Sequence, residues 1–251
     1  AASDVYKRQS LNRAYRGSTR QPGSTFKILA AYAPAIDSCG KSLSTIVVDE
    51  PYKYKNGKNV KNASRSYKGA VTYRTAIANS INVCAVKVSD EISQELGFEY
   101  CEKFGISTLV KEKKTDAGVF SDINQTLALG GVTDGVYNYE LCAAYATIAN
   151  GGTYNTPTLY TKIVDHDGNV LLENPGESHQ AIKEGTASLL TSAMETVVTS
   201  GTGRSCQLNN MPVAGKTGTT TSNKDLWFCG YTPYYLSLIH ISEPTRQEAI
   251  S

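Results

Sequence analysis

Apolar residues recur every three to four positions along several stretches of the chain, the spacing expected for one buried helix face. The first stretch opens after the turn Pro22-Gly23, and Ser38, Cys39 and Gly40 end it. The predicted helices span residues 24–37, 71–79, 83–96, 98–104, 138–149 and 184–198. Gly97 is expected to end the helix 83–96, and paired glycines follow the last two helices.

Strand patterns lie mainly in the second half of the chain. Residues 159–165 and 169–173 flank Asp167-Gly168, a dipeptide typical of hairpin turns. Residues 212–221 and 226–232 form a second predicted strand pair with 222–225 as its turn. The polar segments 41–69 and 107–124 are interpreted as an extended connection over the core and a surface loop. No internal repeat is visible.

Length and charge narrow the class of protein. The chain has 251 residues, enough for one domain or two small ones, and a formal net charge of +2. Basic and acidic residues are interspersed, so no nucleic-acid partner is predicted. No apolar run reaches the roughly 18 residues that cross a bilayer, and the N-terminal residues lack the apolar core of a signal peptide. If the protein acts outside the cytoplasm, we expect its targeting element to lie beyond this chain.

Cysteine and histidine patterns give no support for a metal or redox site. The six cysteines lack a Cys-x-x-Cys pair, and most are expected to be structural: Cys39, Cys84, Cys101, Cys142, Cys206 and Cys229. A disulfide is not expected. His166 and His179 lie in polar segments and His240 near the C-terminus, so a histidine triad is not predicted. We therefore expect no cofactor and no metal.

A serine and a lysine near the start of the first helix form a candidate nucleophile and base. Ser24 and Lys27 are three residues apart, so their side chains share one helix face. Serine becomes a strong nucleophile beside a base, and a buried lysine with a lowered pKa is such a base. The same spacing recurs at Ser38 and Lys41, with Gly40 between them. For the pair alone, a helix cap and a solvated lysine form the simpler interpretation.

Two further motifs follow in order along the chain. Ser80-Ile81-Asn82 interrupts the helical pattern between 71–79 and 83–96. Lys216-Thr217-Gly218-Thr219 lies in a predicted strand. If both segments converge on Ser24, they add a second hydroxyl, an amide and a cationic strand rich in hydroxyls.

Simpler interpretations exist for each of these motifs. Ser80 can end one helix while Asn82 caps the next. Ser10-Leu11-Asn12 has the same pattern but precedes the candidate nucleophile, so it is set aside. A phosphate-binding loop around Lys216-Thr217 is excluded, because Asn210 stands where that motif requires glycine and strand-like sequence follows.

Together, the three motifs resemble those of penicillin-binding protein transpeptidase domains, most closely the bifunctional class A type. Flanking stretches add to the resemblance: the lead-in Arg20-Gln21-Pro22-Gly23 and residues 127–131, 143–152, 197–203 and 213–233. The resemblance extends over about residues 10–235. It implies an α/β (α+β) fold of the β-lactamase/transpeptidase type, in which helices flank an antiparallel sheet.

The resemblance also implies an acyl-transfer reaction on peptidoglycan stem peptides. Ser24 would attack the carbonyl between two D-alanines, Lys27 would take its proton, and Ser80 would relay a proton to the leaving amine. A neighbouring stem amine would then resolve the acyl-enzyme into a cross-link. The implied substrate-binding residues are Asn82, Lys216, Thr217, Gly218 and Thr219. β-Lactams would mimic the D-Ala-D-Ala end and stall at the acyl stage, so they are expected partners.

Two other functions share these motifs. A D,D-carboxypeptidase would resolve the acyl-enzyme with water, and a penicillin-recognising sensor would bind covalently and signal. A class A β-lactamase is less favoured, because no Glu-x-x-Leu-Asn stretch lies between the second and third motifs.

The chain ends depart from the family pattern. We predict that residues 1–9 and 236–251 are non-native tails around a partial transpeptidase domain at 10–235. Sheets of this kind have about five strands, so we expect the sheet to be incomplete at both ends and the isolated chain to fold poorly and be inactive. By analogy, a membrane anchor and a glycosyltransferase domain would precede this segment, at the extracytoplasmic face of the bacterial membrane.

Overall fold

The computed structural model describes residues 18–116, 118–220 and 224–242, with side chains up to residue 240. The predicted tail at 1–9, residues 243–251 of the tail predicted at 236–251, and residues 222 and 223 of the predicted turn lie outside these residues. The α-helices are α1 Ala33–Ser38, α2 Tyr73–Ala78, α3 Asn82–Ile92, α4 Gln94–Lys103, α5 Asn138–Ala149 and α6 Glu184–Thr199. The strands are β1 Ile46–Asp49, β2 Tyr52–Lys53, β3 Asn59–Val60, β4 Gly69–Thr72, β5 Lys113–Thr115, β6 Gly118–Phe120, β7 Thr153–Asn155, β8 Lys162–Val164, β9 Val170–Glu173, β10 Ser178–Gln180, β11 Ala214–Thr219, β12 Asp225–Tyr231 and β13 Leu236–Ser242.

The first predicted helix is one continuous helical run that changes type along its length. It opens with a 3₁₀ turn at Gly23–Thr25, continues as a wide π-helix at Lys27–Tyr32 and ends as α1. Pro34 has no N–H to donate to the carbonyl of Ala30, which accounts for the loss of α-helical bonding before it. Every residue of the π-helix is buried, so this run forms the centre of the core.

Helices α3 and α4 pack against this central run. The predicted end of a helix at Gly97 is wrong. The break falls at Ser93, which has φ 80° and caps α4 through a bond from Leu96 N to its hydroxyl. Gly97 lies inside α4, where an added Cβ would come within 2.4 Å of the Ala30 carbonyl oxygen. The lack of a side chain at Gly97 therefore allows the two helices to pack closely, and this residue does not end a helix.

Strands β11, β12 and β13 form an antiparallel sheet. Helix α6 packs on β11, and α5 contacts β12 and β13. The mixed fold with helices flanking antiparallel strands is as expected. The sequence pattern ended the last strand at 232, whereas the structure adds β13, with Leu236 opposite Tyr231 and Ser242 opposite Asp225. This part of the segment predicted as a tail therefore has a place in the sheet, and its non-native origin stays a prediction.

The remaining strands form antiparallel pairs: β1 with β4, β2 with β3, β5 with β6, β7 with β10 and β8 with β9. The hairpin predicted around Asp167-Gly168 is confirmed as β8 and β9. The segment predicted as a loop at 107–124 contains the hairpin β5–β6. Residues 71 and 72 belong to β4, and Thr72 caps α2 by accepting from Thr75 N. No helix among the described residues has the length and apolar character to cross a membrane.

Candidate active site

The three sequence motifs meet beside the start of the central helical run. Ser24 is half-buried in the 3₁₀ turn, and Lys27 is fully buried at the first π-helical position. Ser80 and Ile81 lie in the connection between α2 and α3, and Asn82 is the first residue of α3. Strand β11 carries Lys216 to Thr219. Residues that are distant in sequence are thus brought to one place, which is the condition for the joint interpretation of the three motifs.

The turn that carries Ser24 is held by close backbone packing on two sides. An added Cβ on Gly23 would lie 2.9 Å from the Thr219 carbonyl oxygen. An added Cβ on Gly130 would lie 2.2 Å from the carbonyl oxygen of Gly23. Neither neighbour leaves room for a side chain, so the turn is wedged between the end of β11 and the loop at Gly130. Residues 127–131 resemble the family in sequence, but nothing in that stretch marks Gly130 as a contact of this turn.

The lead-in to the turn is fixed by Gln21. Its amide donates to the Val132 carbonyl at 2.6 Å and accepts from Val132 N at 3.0 Å. The Gln21 carbonyl also accepts from Trp227 Nε1 at 2.9 Å, so β12 is tied to the same segment. These contacts explain why a glutamine suits the lead-in position.

Two buried lysines converge on Ser80. The Lys27 amine donates to the Ser80 carbonyl at 2.5 Å and to Asn82 Oδ1 at 2.5 Å, and its Nζ lies 3.2 Å from Ser80 Oγ. Lys216 donates to Ser80 Oγ at 2.8 Å and to the Thr217 carbonyl at 2.8 Å. The Ser80 hydroxyl therefore lies between two amines, each with a fully buried side chain.

Burial lowers the pKa of both amines. The pKa of Lys27 lies well below its ordinary value, first because burial penalises the charged form and then because Lys216 repels a second positive charge. Burial lowers the pKa of Lys216 to about 7. Both causes favour the neutral amine of Lys27, the form that a general base takes.

Ser80 adopts a conformation that is uncommon for a serine. Its φ is 52°, in the left-handed region, at a cost of about 1 kcal/mol. Bonds from Ser80 N to the Ile77 carbonyl at 3.1 Å and from Ile81 N to the Ala76 carbonyl at 3.0 Å hold this turn after α2. The alternative that Ser80 follows a helix end is therefore correct, but the same turn directs its carbonyl and hydroxyl to Lys27.

Asn82 does not act as a helix cap. It is the first residue of α3, and the N-cap position is occupied by Ile81. Its side chain instead spans two groups: Oδ1 accepts from Lys27, and Nδ2 donates to the Lys61 carbonyl at 2.7 Å. Capping is thus excluded as the role of this side chain.

The strand β11 presents its hydroxyls at the edge of the site. Thr217 is half-buried, and its Oγ1 lies 2.7 Å from Thr202 Oγ1, a partner that sequence reasoning missed. The Thr219 side chain is exposed. An added Cβ on Gly218 would lie 2.8 Å from Thr25 Cγ2, so glycine lets this strand approach the serine turn closely.

One predicted contact is not made. In the described part of the chain, the side chain of Ser24 has no hydrogen bond to Lys27 or to any other residue. Lys27 is bonded to Ser80 and Asn82 instead.

The described residues contain no group of three or more histidine, cysteine or acidic side chains suited to a metal ion. The six cysteines are free thiols.

Comparison with known proteins shows the family of this chain. The family model of the penicillin-binding protein transpeptidase domain matches residues 2–250. Penicillin-binding protein 1A of Clostridium acetobutylicum is 37% identical over 250 residues, which cover 94% of this chain and 30% of that protein. This chain thus spans less than a third of that relative.

Solved structures show the same fold. The PonA1 protein of Mycobacterium tuberculosis in complex with penicillin V matches with a TM-score of 0.79 and 26% identity, over 93% of this chain and 62% of that one. The D,D-transpeptidase domain of a peptidoglycan glycosyltransferase from Eggerthella lenta matches in fold with a TM-score of 0.77 and 22% identity, over 96% of this chain and 66% of that one. The predicted transpeptidase-type fold is therefore confirmed, and this chain belongs to the penicillin-binding protein transpeptidase domain family.

Proposed function

We propose that this chain catalyses peptidoglycan D,D-transpeptidation, with Ser24 as the acyl-accepting nucleophile. The observation that carries the proposal is the convergence of two buried lysines on the Ser80 hydroxyl, beside the turn that holds Ser24. Burying an amine without a carboxylate partner lowers the stability of the fold. Such amines with shifted pKa values are typical of sites of proton transfer.

Lys27 serves as the general base for Ser24. As a neutral amine it has two N–H groups and one lone pair. The N–H groups suffice for its two short bonds, to the Ser80 carbonyl and to Asn82 Oδ1. The lone pair faces Ser80 Oγ across the longer contact of 3.2 Å. It takes the proton of Ser24, three residues earlier on the same run, when this longer contact opens. Hydrogen bonds between a catalytic serine and its base often tighten only when substrate binds.

Ser80 relays the proton to the leaving group. Its hydroxyl is bonded to both Lys27 and Lys216, so a proton taken from Ser24 can pass through it to the amine of the departing D-alanine. The charge on Lys216 also opposes a charge on Lys27 and keeps the base neutral. This assigns Ser80 and Lys216 to one proton-transfer unit with Lys27.

The end of β11 binds the terminal carboxylate of the stem peptide. Lys216, Thr217 and Thr219 offer an ammonium and two hydroxyls, which suit an anion, while Gly218 keeps the strand close to the serine turn. The main-chain N–H groups of Ser24 and Thr219 form the oxyanion hole, at about 3 kcal/mol for each donor. Asn82 binds a backbone amide of the substrate.

An amine from a neighbouring stem resolves the acyl-enzyme and forms the cross-link. β-Lactams acylate the same serine, consistent with the penicillin complex of the PonA1 relative. This chain spans 30% of its clostridial relative. The proposal therefore also includes an upstream glycosyltransferase domain and a membrane anchor, and it places the reaction at the extracytoplasmic face of the membrane.

Labelling with a fluorescent penicillin tests the nucleophile. We expect saturable labelling of the folded chain, with the adduct on Ser24 by peptide mass spectrometry, and no labelling of Ser24→Ala. Such labelling would also show that the poor folding expected from the sequence is wrong. Ser38→Ala is the matched control, because Ser38 and Lys41 repeat the same spacing. Labelling that survives Ser24→Ala, or an adduct on another residue, would refute the assignment.

Turnover of a pentapeptide ending in D-Ala-D-Ala separates the three acyl-enzyme functions. A transpeptidase releases D-alanine and gains a cross-linked product when an acceptor amine is added. Hydrolysis that ignores the acceptor indicates a D,D-carboxypeptidase. Stable labelling without any turnover indicates a sensor, and either result overturns the proposal of transpeptidation.

A further inference from the structure

An asparagine outside the three motifs holds the Ser80-Ile81-Asn82 turn. Asn62 follows β3 and is 7% exposed. Its Oδ1 accepts from Asn82 N at 3.1 Å and from Val83 N at 3.1 Å. These are the first two N–H groups of α3, which have no acceptor within the helix. The N-cap residue Ile81 makes no side-chain cap, so Asn62 supplies the cap from a separate loop.

A buried carboxyl group sets the orientation of the Asn62 amide. Asp49, at the end of β1, is 1% exposed and accepts from Asn62 Nδ2 at 2.8 Å. Its second oxygen accepts from Lys68 N at 2.9 Å. Because a carboxylate only accepts hydrogen bonds, Asn62 must turn its NH₂ group toward Asp49 and its oxygen toward α3. A bond from Nδ2 to the Ser66 carbonyl at 3.1 Å agrees with this orientation.

The same loop also holds the Asn82 side chain. The Lys61 carbonyl accepts from Asn82 Nδ2 at 2.7 Å, and the opposite end of that amide accepts from Lys27. Adjacent loop residues therefore fix both the backbone and the side chain of Asn82. Two residues earlier, Ser80 has a positive φ that needs support from its surroundings.

We propose that Asn62, oriented by Asp49, is a positioning residue that places Ser80 Oγ and the Asn82 amide for acylation. It touches neither substrate nor the reacting atoms, and the inference rests on the proposed transpeptidase function. Loss of the Asn62 oxygen leaves two helix N–H groups unpaired and frees the turn between Lys27 and Lys216. Small displacements of such groups slow a reaction strongly, because proton transfer needs close alignment.

An exchange of the two side chains tests the pair in the full 251-residue chain. Asn62→Asp keeps the shape but places two carboxyl groups together, and we expect acylation by fluorescent penicillin to slow by roughly 10- to 100-fold per folded molecule. Adding Asp49→Asn restores the hydrogen bond between the two side chains, with the amide now at position 49 and the carboxylate at position 62. A negative charge at the N-terminus of α3 is stabilised by the helix dipole. The double variant is expected to recover most of the acylation rate.

Two controls separate positioning from stability. Ile106→Ala removes a buried side chain outside the site and should lower the melting temperature without changing the acylation rate per folded molecule. Asn56→Ala changes an exposed asparagine whose oxygen accepts from Lys58 N, a neighbour in sequence, and should change neither the melting temperature nor the acylation rate.

The outcomes are distinct. A slow Asn62→Asp and a recovered double variant support the inference, and recovery by a folded double variant supports it even if the single variant fails to fold. A wild-type acylation rate in Asn62→Asp, or a folded double variant that stays slow, overturns it. An unchanged chain that takes no label at Ser24 overturns the proposed function itself, and this inference with it.

Discussion

One Ser-x-x-Lys pair lies at the start of the central helical run, and a second begins at its last residue, Ser38, in opposite surroundings. At the first, Lys27 is fully buried and its bonds go to uncharged oxygens of Ser80 and Asn82. At the second, Ser38 is exposed and bonded to Tyr100, while Lys41 forms a surface ion pair with Glu91. One spacing therefore serves two unrelated purposes.

The difference lies in what each ammonium finds around it. Lys41 keeps access to water and has a carboxylate partner, so its charge is easily accommodated. Lys27 is fully buried and has no carboxylate partner among the described residues, so burial lowers its pKa and favours the neutral amine. A Ser-x-x-Lys motif thus indicates catalysis only when the fold buries the lysine without an acid.

The largest difference between the two pairs is expected from removing the lysines. Lys27→Met should slow penicillin acylation by about 10³-fold, because general bases contribute on this scale. Lys41→Met should leave acylation unchanged. Stopped-flow labelling of both variants makes the comparison, with circular dichroism to establish folding. Equal effects of the two substitutions would show that the buried environment does not distinguish them.

The three motifs could be grouped from the sequence, because each is short and can be recognised without knowledge of the fold. Local patterns also predicted the central run, α5, α6 and the hairpin β8–β9. The site residues proposed from sequence lie together, although their catalytic roles stay predictions.

Long-range contacts could not be predicted in this way. Gly97 was interpreted as a helix end, yet it faces the carbonyl of Ala30. Gly130 and Asn62 act on backbone groups more than 15 residues away, and nothing in the local sequence marks such partners. A glycine needed for close approach has the same local appearance as one that ends a helix.

Two glycines give the next contrast. Gly130 and Gly40 have similar left-handed φ values, 71° and 66°, but an added Cβ at Gly130 meets the Gly23 backbone, whereas nothing lies within 4 Å at Gly40. Gly130→Ala should lower the free energy of unfolding by about 3 kcal/mol and slow acylation by displacing the Ser24 turn. Gly40→Ala should cost about 1 kcal/mol, from φ alone, and leave acylation unchanged. Urea unfolding and labelling of both variants test this, and equal losses of stability would exclude the wedge at Gly130.

The change of stability with pH near neutrality is a measure of the lowered pKa values of the two buried amines. Lys216 has a pKa of about 7 in the folded chain and an ordinary value of 10.5 in the unfolded chain, so the unfolded chain binds more protons between these values. The free energy of unfolding should therefore rise with pH, by about 1 kcal/mol from Lys216 between pH 6.5 and 8. Lys27 acts in the same direction, since its pKa is also lowered. Lys216→Met should flatten the rise in urea titrations, Lys41→Met should keep it, and a fall in stability over this range in the unchanged chain would contradict the buried-amine assignment.

The smallest effect is expected at the second Ser-x-x-Lys pair, where Asp37 has a structural purpose. Its Oδ1 accepts from Lys183 N at 2.8 Å and from Thr186 Oγ1 at 2.8 Å, which caps α6, and its Oδ2 accepts from Tyr100 at 2.7 Å. Burial alone would raise the pKa of Asp37, but these hydrogen bonds outweigh it and hold the pKa below its ordinary value.

Asp37→Ala should therefore lower the free energy of unfolding by about 1 kcal/mol at neutral pH, through loss of the cap. Because a lowered carboxyl pKa stabilises the fold above the unfolded-state value and is lost on acidification, the difference from the unchanged chain should shrink as pH falls below 4. Acylation per folded molecule should not change. A slower rate would mean that the exposed end of the helical run is coupled to Ser24, and the two Ser-x-x-Lys pairs would then no longer be independent.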